Sequence, residues 1–207
     1  MPNSTRPNDK VNIFFPTFNL RFLPQMLGIA FLGAIIAGVY GILHDQITYS
    51  ISHEYFTKLK FNQFHVANFG FPPRVFVSEV GFLATWWVGL FSGWFLARIA
   101  VPVWPGKVAL RKCLAGFAII FSTAFTAGCI GLFLGVHHTS DYSYWQELTS
   151  TLDIKDIPAF VCVGYIHNSG YIGGLIGLLL AIVFLLRLRK TEQRIVEHAP
   201  AMCDSEE

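Results

Sequence analysis

The chain alternates between long apolar runs and shorter polar intervals. Four runs, at about residues 22–43, 76–97, 113–135 and 160–186, carry almost no charge. A helix needs roughly 20 such residues to cross a hydrocarbon core about 30 Å thick. The pattern predicts an all-α integral membrane protein, a four-helix transmembrane bundle in one membrane domain over residues 1–207. Two long connections, 44–75 and 136–159, fall on one side. A short connection and the tail 187–207 fall on the other. No internal repeat interrupts this plan.

The first run is too long for a cleavable signal, and GVYGILHDQ lacks a small-x-small cleavage site. It reads as a retained span. The preceding VNIFFPTFNLRF mixes Phe with polar residues and is expected at the membrane surface. The first long connection is more than a linker. SHEYFTKLKF predicts a short helix with Ser52 as N-cap, Glu54 in its first turn and lysines toward its end. Tyr55, Phe56, Leu59 and Phe61 are too apolar for a free loop and are expected to pack on the bundle rim. FGFPPR then breaks the chain before the second span.

Small residues recur at helical spacing in every span. Gly33, Ala37 and Gly41 form one row, and Ala30, Ala34 and Gly38 the next. The second span carries Gly81, Thr85, Gly89 and Gly93. The third carries Ala124 and Gly128 beside Ala127, Gly131 and Gly135. The fourth carries Gly170 and Gly174 beside Gly173 and Gly177. Such rows let helix backbones approach closely, which is how helices associate in lipid.

Composition agrees with the pattern. Hydrophobic residues make up 53% of the chain and charged residues 14%, against roughly half and a quarter in soluble domains. The net charge of +2 offers no field for nucleic acid. Basic residues are segregated, however. Eleven of the fifteen Lys and Arg lie before the first span, around the second connection or just after the fourth span. Positive residues stay on the cytoplasmic side, so both termini are expected there, with the long connections outside. Cys113, Cys129, Cys162 and Cys203 form no CxxC pair and no metal-ligand spacing. A Cys129–Cys162 bridge and plain packing are the two readings of that pair.

Candidate chemistry concentrates at one level. Counting about 1.5 Å per residue, Arg21 to His44 is about 34 Å, Arg98 to Glu79 about 28 Å, Lys112 to His138 about 39 Å and Arg187 to His167 about 30 Å. All four side chains reach the outer boundary, beside Asp45, Asn168 and Ser169. His44, His138 and His167 each continue a small-residue row and so are expected to face helix contacts rather than lipid. Glu79 shares a face with Leu83, Trp86 and Leu90 instead. Its expected partners are the outer connection, Arg74 or a backbone amide. Neutral imidazole is the commonest metal ligand, and His44, His138 and His167 with an open position would suit Zn or Cu. Two histidines on facing helices would suit haem iron. A His–Asp–Glu group would suit proton relay. HExxH, CxxCH, P-loop and dinucleotide-binding glycine motifs are absent. Ser140, His138 and Asp141 match a hydrolytic triad by residue type alone.

His44-Asp45-Gln46, Thr48-Tyr49 and Glu54-Tyr55-Phe56-Thr57-Lys58 resemble a family of uncharacterised bacterial membrane proteins. Its pattern is HDQ, a β-branched and aromatic stretch, then SPEYF. Ala84 to Trp87 resembles that family's second-span motif. The resemblance covers about Gly28 to Gly93. Ser52-His53-Glu54 replaces SPE here, which argues that His53 is not a shared ligand. The resemblance implies a bacterial cytoplasmic membrane. It also implies that His44, Asp45, Gln46, Glu54 and Tyr55 form one motif at the outer rim. It implies no activity.

Two function classes follow. One is a non-catalytic membrane subunit, scaffold or assembly factor with a structural polar cluster, favoured by the lack of a complete catalytic motif. The other is an enzyme or transporter handling a metal, haem or protons through that cluster. The lipid bilayer is the expected partner, alongside other membrane subunits or further copies of the chain.

Overall fold

The computed structural model describes residues 19–137 and 142–198, with side chains to residue 194. Residues 11–18 of the surface segment expected over 11–22 lie outside this range, and Leu20–Phe22 form a 3-10 turn that leads into the first long helix. The predicted bundle is present. Its long helices are α1 (Leu23–Ile51), α3 (Pro73–Ala100), α4 (Gly106–His137) and α6 (Ile157–His198). Each is long and apolar enough to cross a membrane. On α1, Phe31, Ile35, Val39, Leu43 and Ile47 are all exposed. They recur every fourth residue, so one apolar stripe runs the length of the helix and faces lipid.

The bundle is built from two intimate helix pairs, α1 with α3 and α4 with α6. Glycine makes both possible. A Cβ on Gly41 would lie 2.1 Å from the Gly81 carbonyl oxygen, and one on Gly89 would lie 2.1 Å from that of Gly33. Between these crossings the Thr85 hydroxyl donates to the Ala37 carbonyl at 2.8 Å. The rows expected on α1 and α3 therefore face each other. In the second pair, Gly131 and Gly135 meet α6 at Tyr165 and Cys162, and Gly173 and Gly177 meet α4 around Thr123 and Ile120. The other fourth-span row differs from expectation. A Cβ on Gly174 would meet nothing within 4 Å, and one on Gly170 would only graze Ala124. The two rows are centred about 60° apart around the helix, and α6 is turned so that the Gly173–Gly177 row faces α4.

Two cores close the bundle. At the tail end, Met26, Leu96, Ile99, Trp104, Phe117 and Leu185 pack together, drawn from all four helices and the α3–α4 turn. Lys112 pairs with Glu192 at 2.9 Å, and the Trp104 indole N–H donates to the same carboxylate. This ties α6 to the α3–α4 turn beyond the apolar run. At the loop end, Tyr49, Tyr55, Phe56, Val77, Trp145, Ile154 and Phe160 form the second core. Trp145 comes from the 3-10 turn Ser143–Trp145, which leads into the short α5 (Gln146–Thr151). Its ring lies on Gly164, where a Cβ would sit 2.4 Å from it.

The first long connection is ordered, as its aromatic content predicts. Ser52 Oγ accepts the Tyr55 amide at 3.3 Å, the expected N-cap contact. The segment is wound as a π-helix, Tyr55–Lys60, that continues into α2 (Phe61–Gln63). π-helical turns are rare and concentrate at functional sites. Phe56 is fully buried and Tyr55 nearly so. Pro73 then starts α3, after Gly70 turns the chain at φ +80°.

Candidate functional site

His44 and His167 meet inside the loop end, with ring centroids 4.6 Å apart. Neither ends its helix; for His44 this differs from the first span predicted to stop at residue 43. α1 continues two turns beyond His44 because its polar residues satisfy themselves along the helix. Thr48 donates to the His44 carbonyl and Ser50 to that of Gln46. This extension, the π-helix and α6 together roof the histidines. His167 is 3% exposed and Asp45 5%.

His167 is the hub. Its Nε2 lies 3.3 Å from Thr48 Oγ1 and 3.8 Å from Asp45 Oδ1. Its Nδ1 lies 3.4 Å from the Tyr171 hydroxyl, one turn further along α6. Tyr55 stacks on its ring and Phe56 touches the edge. His44 sits between Tyr40 and His167. Its Nδ1 is buried and has no hydrogen-bond partner among the described residues. An unpartnered buried nitrogen of this kind costs roughly 1–3 kcal/mol.

His44, Asp45 and His167 each offer one metal-ligating atom, and these atoms lie within 4.8 Å of one another. Imidazole nitrogens and a carboxylate oxygen suit borderline divalent transition metals. The same atoms could also share or pass a proton.

The rest of the resembling motif holds this arrangement in place. Gln46 donates to the Arg74 carbonyl at 2.7 Å and to Ser78 Oγ at 3.0 Å, locking α1 to the start of α3. Arg74 returns a bond to Gln46 and lies over the Tyr49 ring. Glu54 accepts the backbone amides of Lys155 and Asp156 just before α6 and pairs with Lys58 at 2.9 Å. The Asp156 amide, then Lys58, hold its carboxyl down to about 2. Burial pushes the Tyr55 phenol well above its usual range, so it stays neutral. Burial also lowers the Lys60 ammonium, an effect the Asp45 carboxylate partly offsets.

Other expected site residues lie elsewhere. Glu79 is half-buried on α3, outside the His44–Asp45–His167 group, and its Oε2 has no partner among the described residues. Arg74, its expected partner, is taken by Gln46, Ser50 and Tyr49. His138, Ser140 and Asp141 lie outside the described residues. His137 is exposed and bonded to its own helix at the Phe133 carbonyl. Asn168 faces outward, while Ser169 packs on Gly131. Cys113, Cys129 and Cys162 are free thiols. Sequence reasoning missed Thr48, Tyr171 and Lys60. The first two stand four residues after His44 and His167, a spacing that marks a shared helix face. Lys60 carries no comparable signal, because only the fold of the connection brings it to the site.

The fold and this cluster define a multi-span helical membrane protein with a buried His–Asp group at one end. Comparisons with family models, curated proteins and solved structures give no match.

Proposed function

We propose that this protein binds a divalent transition-metal ion at the loop end of its bundle, through His44, Asp45 and His167. The reading rests on one observation: three buried ligand atoms of suitable chemistry lie within 4.8 Å of one another, on two different helices. It replaces His138 by Asp45 in the ligand set expected from sequence. Stacked Tyr55 and bonded Tyr171 orient His167, as second partners orient ligating imidazoles elsewhere. Haem suits the site poorly. Imidazoles on opposite faces of an iron at about 2.0 Å need centroids roughly 6 Å apart. The 4.6 Å spacing instead suits two ligands on the same side of one ion.

In this reading the membrane is the bacterial cytoplasmic one and the loop end faces outward, as the segregated Lys and Arg indicate. Elemental analysis of protein purified without chelator tests the site. About one equivalent of Zn, Mn, Fe or Cu is expected, lost in His44→Ala, Asp45→Asn and His167→Ala and kept in His137→Ala.

The second reading is a non-catalytic subunit or scaffold. It is supported by the two contacts that already occupy His167, from Thr48 and Tyr171. Metal-free protein whose His→Ala variants lose stability alone would select it.

A further inference from the structure

We infer that α6 holds an anionic glycerophospholipid at the tail end of the bundle, with the lipid phosphate on Arg187 and the start of an acyl chain along Leu180, Val183 and Phe184. The inference is independent of the metal reading.

A groove of about 260 Å³ runs along α6, lined by Leu180, Val183, Phe184, Arg187, Leu188 and Thr191. These residues recur every three or four positions, so they share one side of the helix. Ala181 and Leu185, which point toward the core, are fully buried, whereas Leu180 and Val183 are exposed. The groove therefore opens toward lipid. It is smaller than the roughly 300–1,000 Å³ of a site that encloses a whole ligand. That size suits a glycerol phosphate and the first methylenes of a single chain, with the remainder lying in the bilayer.

The groove has an apolar end and a cationic end, in the order in which a phospholipid presents its parts. Arg187 lies about 30 Å along α6 from His167, close to the thickness of a hydrocarbon core. Leu180 to Phe184 thus run inside the hydrocarbon, and Arg187 stands at its boundary, the depth of lipid phosphates. Thr191 donates its hydroxyl to the Arg187 carbonyl at 3.1 Å. The guanidinium is left as the groove's free donor. Among the described residues it makes no hydrogen bond and no ion pair. Its planar fork of N–H groups matches phosphate oxygens. Glu192, the tail-end carboxylate among the residues with described side chains, is engaged by Lys112 and Trp104. A second copy of the chain would bring the same engaged carboxylate and no free anion, whereas a lipid brings its own. Arg189 and Lys190 add positive charge at the same level, which favours a net-anionic headgroup over a zwitterionic one.

The test reconstitutes the full-length protein in nanodiscs of phosphatidylglycerol and phosphatidylcholine with matched chains. Native mass spectrometry then counts the lipids that stay bound after transfer to detergent. About one phosphatidylglycerol per chain is expected to remain, in preference to phosphatidylcholine. Arg187→Gln should lower that preference about tenfold, the scale of a single charge-assisted contact. Arg189→Gln removes an equal charge at the same level but outside the groove, and should keep most of the preference. Val183→Trp fills the apolar end and should also lower retention. Arg187 and Val183 lie on the lipid-facing side, so both variants should unfold at the parent's temperature. Equal retention of the two lipids overturns the inference, as does an equal loss in Arg187→Gln and Arg189→Gln, which would assign diffuse surface charge. Displacement of the bound lipid by millimolar inorganic phosphate also overturns it and would assign a free-anion site. None of these outcomes bears on the metal site, which elemental analysis reads separately.

Discussion

Tyr55 lies almost face to face with His167, with ring centroids 5.1 Å apart and planes inclined by 26°. A residue from the first connection thereby becomes part of the wall around an imidazole deep in the fourth span. Glu54, its neighbour, accepts the two amides that precede that same helix. The two contacts anchor the π-helical cover at both its side chain and its backbone.

Removing the ring should therefore open the cover. Deleting a buried aromatic costs about 3–5 kcal/mol in well-packed cores, and Tyr55→Ala is expected to fall near that range. Tyr55→Phe should cost under about 1 kcal/mol, because the hydroxyl makes no hydrogen bond among the described residues. Thermal unfolding in detergent, with limited proteolysis between Ser50 and Phe61, reads both. Equal stability of Tyr55→Ala and the parent would remove the cover from the argument.

The anchor at Glu54 has a defined acid limit. Its folded value is about 2 against a usual 4.5. A depressed carboxyl adds stability that is complete above the unfolded value and is lost as pH falls through the folded one. Protection of the 50–61 segment from protease should thus be flat from pH 8 to about 5 and decline between about 4.5 and 2. Glu54→Gln should lose part of that protection at neutral pH and flatten the acid response.

Two glycines separate a packed face from an open one. Gly41→Leu would drive a side chain into the Gly81 backbone, whereas Gly174→Leu would enter open space. Overpacking costs about 1–3 kcal/mol and often more where backbone must move. Gly41→Leu should lower the unfolding temperature clearly, and Gly174→Leu should leave it nearly unchanged. The reverse order would mean that the α1–α3 crossing is misplaced.

Orientation is open to a direct measurement. Reporter fusions after Asn62 and Asp153 should give an exported signal, and one after Lys190 a cytoplasmic signal. A cytoplasmic signal after Asn62 would invert the map drawn from Lys and Arg.

The sequence by itself determined the spans, because the length of an apolar run is a local property that lipid reads directly. It also determined the rows of α1 and α3, the N-cap at Ser52, and the inward placement of His44. It did not determine which row of α6 meets a partner. Gly170–Gly174 and Gly173–Gly177 have the same spacing and differ only by rotation about the helix axis. His167 is buried for a related reason: α1 and the connection cover it, rather than the Gly170–Gly174 row that sequence spacing had assigned to a helix contact. Asp45 was legible as a neighbour in depth, and the tertiary structure made it a candidate ligand in place of His138. Lys60 and Tyr55 reached the site through the fold of a connection whose path no periodicity fixes. Helix pairing and loop closure depend on contacts between residues far apart in the chain, so only the packed bundle decided them.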